Sequence, residues 1–243
     1  MANELHQVAD LLLEHRAGRE DWGLSSAGGE PCSKKVANKF LICCLLDWQM
    51  KADLAWRNGE RLVGEILGDP EDVWLKITSV EESVWKSKRA EYKLHRFPAG
   101  HNRLWRIGKE IRDKYDGDAR RIWQGKESSA VLVDLLAMGA GEQISRMIAG
   151  ALRDCGQING PGDVKADIHV CRVLGRVAYG EPISAAAATE LARQFNPTDP
   201  WQLDWPLWEV GSSYCKPKNP HCERCYLAPH CVYNLHRVGA STP

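Results

Sequence analysis

The sequence predicts an all-α fold, and two observations carry this prediction. Apolar residues recur at spacings of three and four along nine segments, whereas no segment shows the alternation of a half-buried strand. Breaks rich in Gly, Pro, Ser and Asp separate these segments at 21–35, 68–72, 96–100 and 155–163. The predicted helices span 4–16, 36–49, 52–68, 84–94, 101–115, 128–137, 142–154, 166–178 and 184–195.

The composition is that of a soluble globular protein. The chain has 243 residues, of which 44% are hydrophobic and 26% charged, with a formal net charge of +0. No apolar run approaches the roughly 20 residues of a membrane span, and acids and a histidine interrupt the apolar stretch at the N-terminus, so we expect neither a membrane segment nor a signal peptide. This length allows one large domain or two smaller ones.

Basic residues are concentrated in one segment although the net charge is zero. Between Trp85 and Trp123 there are twelve Lys and Arg residues and five acids. This pattern fits a basic binding surface and a solvated helix face equally well.

Four cysteines lie close together near the C-terminus, at Cys215, Cys222, Cys225 and Cys231. In a reducing compartment, clustered cysteines indicate a metal site rather than disulfides. A structural zinc site usually has two separated close pairs, whereas only Cys222 and Cys225 form such a pair here. The spacing favours a [4Fe–4S] cluster, which accepts several ligand spacings, and leaves zinc open as the alternative.

This cysteine spacing follows the aromatic-rich segment WPLWEVGSSYC and resembles the C-terminal iron–sulfur loop of the endonuclease III-like helix-hairpin-helix DNA glycosylases. The resemblance implies a [4Fe–4S] cluster with a structural role, held by the four cysteines. It also implies that Lys216 and Lys218, between the first two cysteines, contact DNA phosphates.

A second motif of that family has a counterpart in VLVDLLAMGAGEQISRMIAGAL, where an apolar helix, a Gly-x-Gly turn and a second helix follow one another. Gly139 and Gly141 allow a sharp turn and a close approach of the backbone to a phosphate. Gln143 occupies the position at which strand-cleaving members carry a Schiff-base lysine. Because an amide cannot form an imine, the resemblance implies a glycosylase without lyase activity.

Asp167 stands at the start of a predicted helix, where the family has its catalytic aspartate. Without the resemblance, a carboxylate at this position would be interpreted as stabilising the helix dipole. The segment between the hairpin and Asp167 is about six residues longer than the family pattern suggests. Lys165 is the alternative amine for a lyase reaction.

The resemblance assigns further residues to the extruded base. Gln49 follows the helix FLICCLLDW and corresponds to the residue that fills the gap in the duplex. The segment 93–111 corresponds to a recognition loop and the helix after it, and it matches the family pattern poorly. Its candidates for touching the base are His95, Arg96, Phe97, His101 and Asn102.

The resemblance also implies the domain arrangement, with two helical domains and a DNA-binding cleft between them. A six-helix domain with the hairpin is expected over 36–163. A discontinuous cluster domain is expected over 1–35 plus 164–243.

The function that these features imply is that of a monofunctional DNA glycosylase, which extrudes a base and hydrolyses its N-glycosidic bond with Asp167 as catalytic carboxylate. The alternatives are a bifunctional glycosylase/lyase and a non-catalytic iron–sulfur DNA-binding module. The expected partner is double-stranded DNA with a damaged, mispaired or modified base, bound by a monomer without membrane association. We expect a cytoplasmic, nucleoid-associated protein.

Overall fold

The computed structural model describes residues 2–16, 22, 24 and 32–239, and helices joined by turns and loops make up this part of the chain. The helices are α1 (Ala2–Glu14), α2 (Lys34–Leu46), α3 (Ala52–Arg61), α4 (Val73–Thr78), α5 (Glu82–Ser87), α6 (Arg89–Tyr92), α7 (Pro98–Tyr115), α8 (Arg120–Trp123), α9 (Ser128–Ala137), α10 (Glu142–Asp154), α11 (Ile168–Tyr179), α12 (Ala185–Phe195), α13 (Asp204–Ser213) and α14 (Val232–Gly239). Within these described residues there is no strand, only an isolated bridge between Glu127 and Asn159. The all-α prediction is confirmed.

The chain divides into two compact units. The central unit is Glu20–Gly160, and the terminal unit is Met1–Arg19 together with Pro161–Pro243. Both boundaries lie earlier in the chain than the ones expected from the sequence, after residues 35 and 163.

The central unit is built around α2, whose residues 40–46 are all buried. A helix that is apolar on every side has to be enclosed by its neighbours. One buried polar residue on α2 is Asn38, whose amide donates to the Gly117 carbonyl (2.9 Å) and accepts from the Ala119 amide (2.8 Å). Asn38 therefore fixes the turn that follows α7.

The observed helix bounds agree best with the predicted ones where apolar periodicity ends or begins at a glycine. The predictions 128–137 and 142–154 match α9 and α10 at both ends. The predicted helix 84–94 is instead two short helices, α5 and α6. The short helix α4 was not predicted because six residues give too little periodicity, although Asp72 caps it by accepting from the Leu75 amide (2.9 Å).

The terminal unit is centred on α11, which packs against α12, α13 and α14. Its contact with α13 is close because Gly211 has no side chain. A Cβ added at Gly211 would lie 2.6 Å from Cβ of His169. No helix among the described residues is both long and apolar enough to cross a membrane.

We predict that Gly211→Ala destabilises the protein by about 1–3 kcal/mol, because the added methyl group forces α11 and α13 apart. Denaturant unfolding measures this loss. Gly64→Ala is the matched control, since a Cβ there meets no atom within 4 Å. An equal effect of both substitutions would contradict the close-packing interpretation.

Candidate functional site

The four clustered cysteines belong to the cysteine loop, residues 215–231, which connects α13 to α14. All four line a single pocket of the terminal unit. Apolar side chains complete much of its wall, namely those of Val173, Val177, Val210 and Leu227. The sequence-predicted metal ligands are therefore brought together around one space.

These thiols are partly shielded from water. Burial raises the pKa of Cys222 and Cys231, and it raises the pKa of Cys225 to about 11. Thiols with such pKa values are protonated at neutral pH, so metal binding would release protons. As the described side chains stand, no three His, Cys, Asp or Glu residues form a group that could hold a metal ion.

A buried arginine of α11 holds the start of the cysteine loop. Arg176 donates from Nη1 to the Cys215 sulfur (3.3 Å) and to the Lys216 carbonyl (2.7 Å), and from Nη2 to the Pro217 carbonyl (3.0 Å). Its Cζ lies 4.4 Å from the centre of the Tyr233 ring. These hydrogen bonds fix the start of the cysteine loop relative to α11.

Asp167 is the N-cap of the same helix. Its Oδ1 accepts from the backbone amides of His169 (2.7 Å) and Val170 (3.0 Å). The contacts among the described residues leave Oδ2 without a protein donor, and the side chain is half-buried. The cap fixes one carboxylate oxygen and leaves the other available to a ligand.

A second buried arginine connects the first turn of α11 to the cysteine loop. Arg172 donates to the carbonyls of Ile168 (3.0 Å), Gly211 (2.8 Å) and Cys215 (2.6 Å). Its Nη2 also lies 3.1 Å from Nδ1 of His169. The position of Asp167 at the helix start is thus tied to the loop that carries the cysteines.

Sequence reasoning did not identify Arg172 and Arg176. A signal was present, because both arginines interrupt the otherwise apolar face of VCRVLGRV at a spacing of four residues. Charged residues are rarely buried without partners, so two on an apolar helix face indicate a specific binding role.

The hairpin, residues 139–141, joins α9 to α10 in the central unit. Gly139 and Gly141 have φ of 80° and 87°, a region that favours glycine, and both are exposed. Helix α10 starts after Gly141 without a side-chain cap, so its first amides are free to bind an anion. Gln143 is half-buried, and its Oε1 has no hydrogen-bond partner among the described residues.

Gln49 is exposed in the turn after α2 and has a left-handed backbone with φ of 51°. The turn holds its side chain outside the core. The neighbouring Trp48 ring is half-buried and stacks on His95 with a centroid distance of 5.7 Å.

The five candidates for base contact fall into different environments. His101 is fully buried, stacks on Trp85 at 4.9 Å and is 2.9 Å from the Trp85 carbonyl. Burial lowers its pKa, so it is a neutral core residue. His95 is 4% exposed and lies 2.7 Å from the Trp48 carbonyl through Nε2. Both histidines are thus buried residues that pack beneath the surface of this segment.

The other three candidates are more accessible. Arg96 and Phe97 are exposed, and the Arg96 guanidinium lies 4.7 Å from the centre of the Phe97 ring. Asn102 is half-buried, with Oδ1 unpartnered among the described residues. Arg96 and Phe97 are thus the members of this set that can reach a ligand without rearrangement.

The two lysines of the cysteine loop also differ. Lys218 is exposed, whereas the half-buried Lys216 donates its ammonium to the Ser212 carbonyl at the end of α13. Lys218 is therefore the freer of the two for a phosphate contact.

No protein-family model matches the chain. A curated relative, endonuclease III of Thermotoga maritima, is 32% identical over 72 residues, which are 29% of this chain and 34% of the relative. The match thus spans about a third of that relative's length.

Solved structures match over nearly the whole chain. A trapped endonuclease III–DNA covalent intermediate has a TM-score of 0.69 at 15% identity, covering 98% of this chain and 99% of the other. A non-covalent endonuclease III–DNA complex has a TM-score of 0.65 with the same identity and coverage. A thermostable thymine-DNA glycosylase has a TM-score of 0.63 at 15% identity, covering 96% and 98%.

The fold and the local sequence match agree with the cysteine spacing and the hairpin. They confirm the resemblance of this chain to the endonuclease III-like helix-hairpin-helix DNA glycosylases, whose fold it has.

Proposed function

We propose that the protein is a monofunctional DNA glycosylase, which removes a damaged, mispaired or modified base and leaves an abasic site. The observation that carries the proposal is the state of Asp167, whose Oδ1 is fixed by two amides while Oδ2 has no protein donor. A carboxylate held in this way at a helix start is oriented for chemistry on a bound ligand.

The proposed reaction is hydrolysis of the N-glycosidic bond. The bond between C1′ and the base nitrogen breaks, its electron pair leaves with the base, and the sugar acquires oxocarbenium character. The Asp167 carboxylate stabilises this charge and accepts a proton from water, whose oxygen bonds to C1′. The departing base takes up a proton, so charge balances over the reaction.

The base has to leave the duplex before this reaction, because the glycosidic bond is inaccessible in stacked DNA. The exposed Gln49 is suited to fill the gap, since its amide can hydrogen-bond to the unpaired partner base. The exposed Arg96 and Phe97 offer a charged and an aromatic surface to the extruded nucleotide.

Gln143 supports hydrolysis without strand cleavage. An imine with the sugar needs an amine, and Gln143 carries an amide at the position that follows the hairpin by two residues. Lys165 is the amine nearest to Asp167 in sequence, and its backbone amide donates to Asp204 Oδ1 (2.5 Å). A lyase reaction through Lys165 is the alternative, and experiment has to distinguish it from hydrolysis alone.

The cysteine loop fits a [4Fe–4S] cluster by the chemistry of its donors. Four thiols surround one largely apolar pocket, and a guanidinium donates to one of the sulfurs. When bound, the cluster would cross-link the loop. Through its hydrogen bonds to Arg176 and Arg172, the cross-linked loop would hold α11 in place. The exposed Lys218 would face a DNA phosphate.

The first prediction of this proposal concerns the metal. Protein purified without oxygen should be brown and contain about four irons per chain. Cys225→Ser should lower the iron content and DNA affinity together, because the loop loses its anchor. Cys44→Ser, at a buried cysteine outside the loop, is the control and should keep its iron. One zinc per chain without iron would exclude the cluster.

Asp167→Asn tests catalysis without disturbing the helix, because asparagine caps helices as well as aspartate does. On a duplex whose base the wild type removes, the rate of base release should fall by at least about 10²–10³. DNA affinity should be retained or rise, since a negative charge is lost.

Asp163→Asn is the matched control for this substitution. Asp163 lies four residues upstream and pairs with Arg193 (2.8 Å), so its loss should leave base release nearly unchanged. Near-full activity of Asp167→Asn would show that the catalytic assignment is wrong.

Borohydride reduction tests the absence of a lyase reaction, because it traps only an imine between an amine and the sugar. The wild type should release the base without forming a covalent protein–DNA adduct. An adduct in the wild type that disappears in Lys165→Ala would instead establish the bifunctional alternative.

A further inference from the structure

Arg103, on the second turn of α7, is held against an aromatic ring. Its Cζ lies 5.1 Å from the centre of the Trp48 ring. Trp48 is itself held in place by His95. The two rings stack at an interplanar angle of 10°, and the Trp48 backbone carbonyl is 2.7 Å from His95 Nε2. A guanidinium on such a surface keeps one orientation.

The same guanidinium lies beside the hairpin. A Cβ placed on Gly141 would be 3.9 Å from Nη2 of Arg103. Gly141 is the residue after which α10 begins, and no side chain caps that helix. The positive charge of Arg103 and the positive end of α10 therefore lie side by side.

This charge has no partner in the part of the chain that the structure describes. The Nη1 atom of Arg103 is buried without a hydrogen-bond acceptor, and no carboxylate forms an ion pair with the side chain. Glu142, the first residue of α10, is paired with Arg146 (2.8 Å). Burial, and then the like charge of Arg106, lower the pKa of Arg103, yet a guanidinium remains protonated.

We propose that Arg103 binds a DNA backbone phosphate together with the free amides at the start of α10. This inference rests on the proposed function and adds a charged ligand to its DNA contact. An unpaired cation beside a helix N-terminus attracts an anion more strongly than an uncharged base edge. The Nη2 atom, which lies nearest to Gly141, can donate to a phosphate oxygen.

The test measures the affinity of duplex DNA as a function of salt concentration for four proteins: the wild type, Arg103→Gln, Arg103→Lys and Arg106→Gln. Arg103→Gln should weaken binding of all duplexes by the same factor and reduce the salt slope by about one unit. Arg103→Lys should retain the slope and part of the affinity. Arg106 is exposed one turn away, so its substitution should leave the slope unchanged.

An unchanged slope in Arg103→Gln, or a loss of affinity confined to one base, would overturn the phosphate assignment. If Arg103→Gln does not fold, Arg103→Lys decides, because a folded lysine variant with a reduced slope would show that charge is not what binds. Wild-type protein that shows no salt-dependent DNA binding would instead contradict the proposed function itself.

Discussion

The terminal unit depends on two buried arginines of one helix. Arg172 and Arg176 lie one turn apart on α11, and together they donate to the carbonyls of Cys215, Lys216 and Pro217. Burying a guanidinium group is costly unless acceptors offset its lost hydration, and these carbonyls are the acceptors, so the cysteine loop and α11 have to adopt one mutual arrangement. Asp167 caps the same helix, and its carboxylate is oriented as a consequence. The proposed metal site and the proposed catalytic residue thus share one structural element.

In the central unit, the feature that matters is the exposure of backbone amides at the start of α10. Two glycines with positive φ let the chain turn between α9 and α10, and the second helix begins without a side-chain cap. Free amides at a helix N-terminus attract an anion, and Arg103 adds a full charge at the same place. This explains how a chain of zero net charge can present a local site for a polyanion.

The sequence predicted those features that depend on residues close together in the chain. Helix α10 was predicted at both ends because its apolar spacing begins directly after a glycine turn. The spacing of the four cysteines likewise predicted residues that line one pocket. The environment of His101 could not be predicted, because its burial against Trp85 depends on how α5 and α7 pack. The break predicted at 96–100 extends too far, because in the structure α7 already begins at Pro98 rather than at the predicted residue 101.

The central claim is that this fold releases a base from DNA without cutting the strand. The most direct measurement incubates the wild type with a panel of duplexes, each with one damaged, mispaired or modified base, and analyses the strands with and without subsequent alkali. The account predicts that at least one duplex is cleaved after alkali and remains intact without it, since only an abasic site is left. Strand cleavage without alkali would contradict the monofunctional assignment, and intact strands throughout a panel that covers these base classes would contradict the glycosylase assignment.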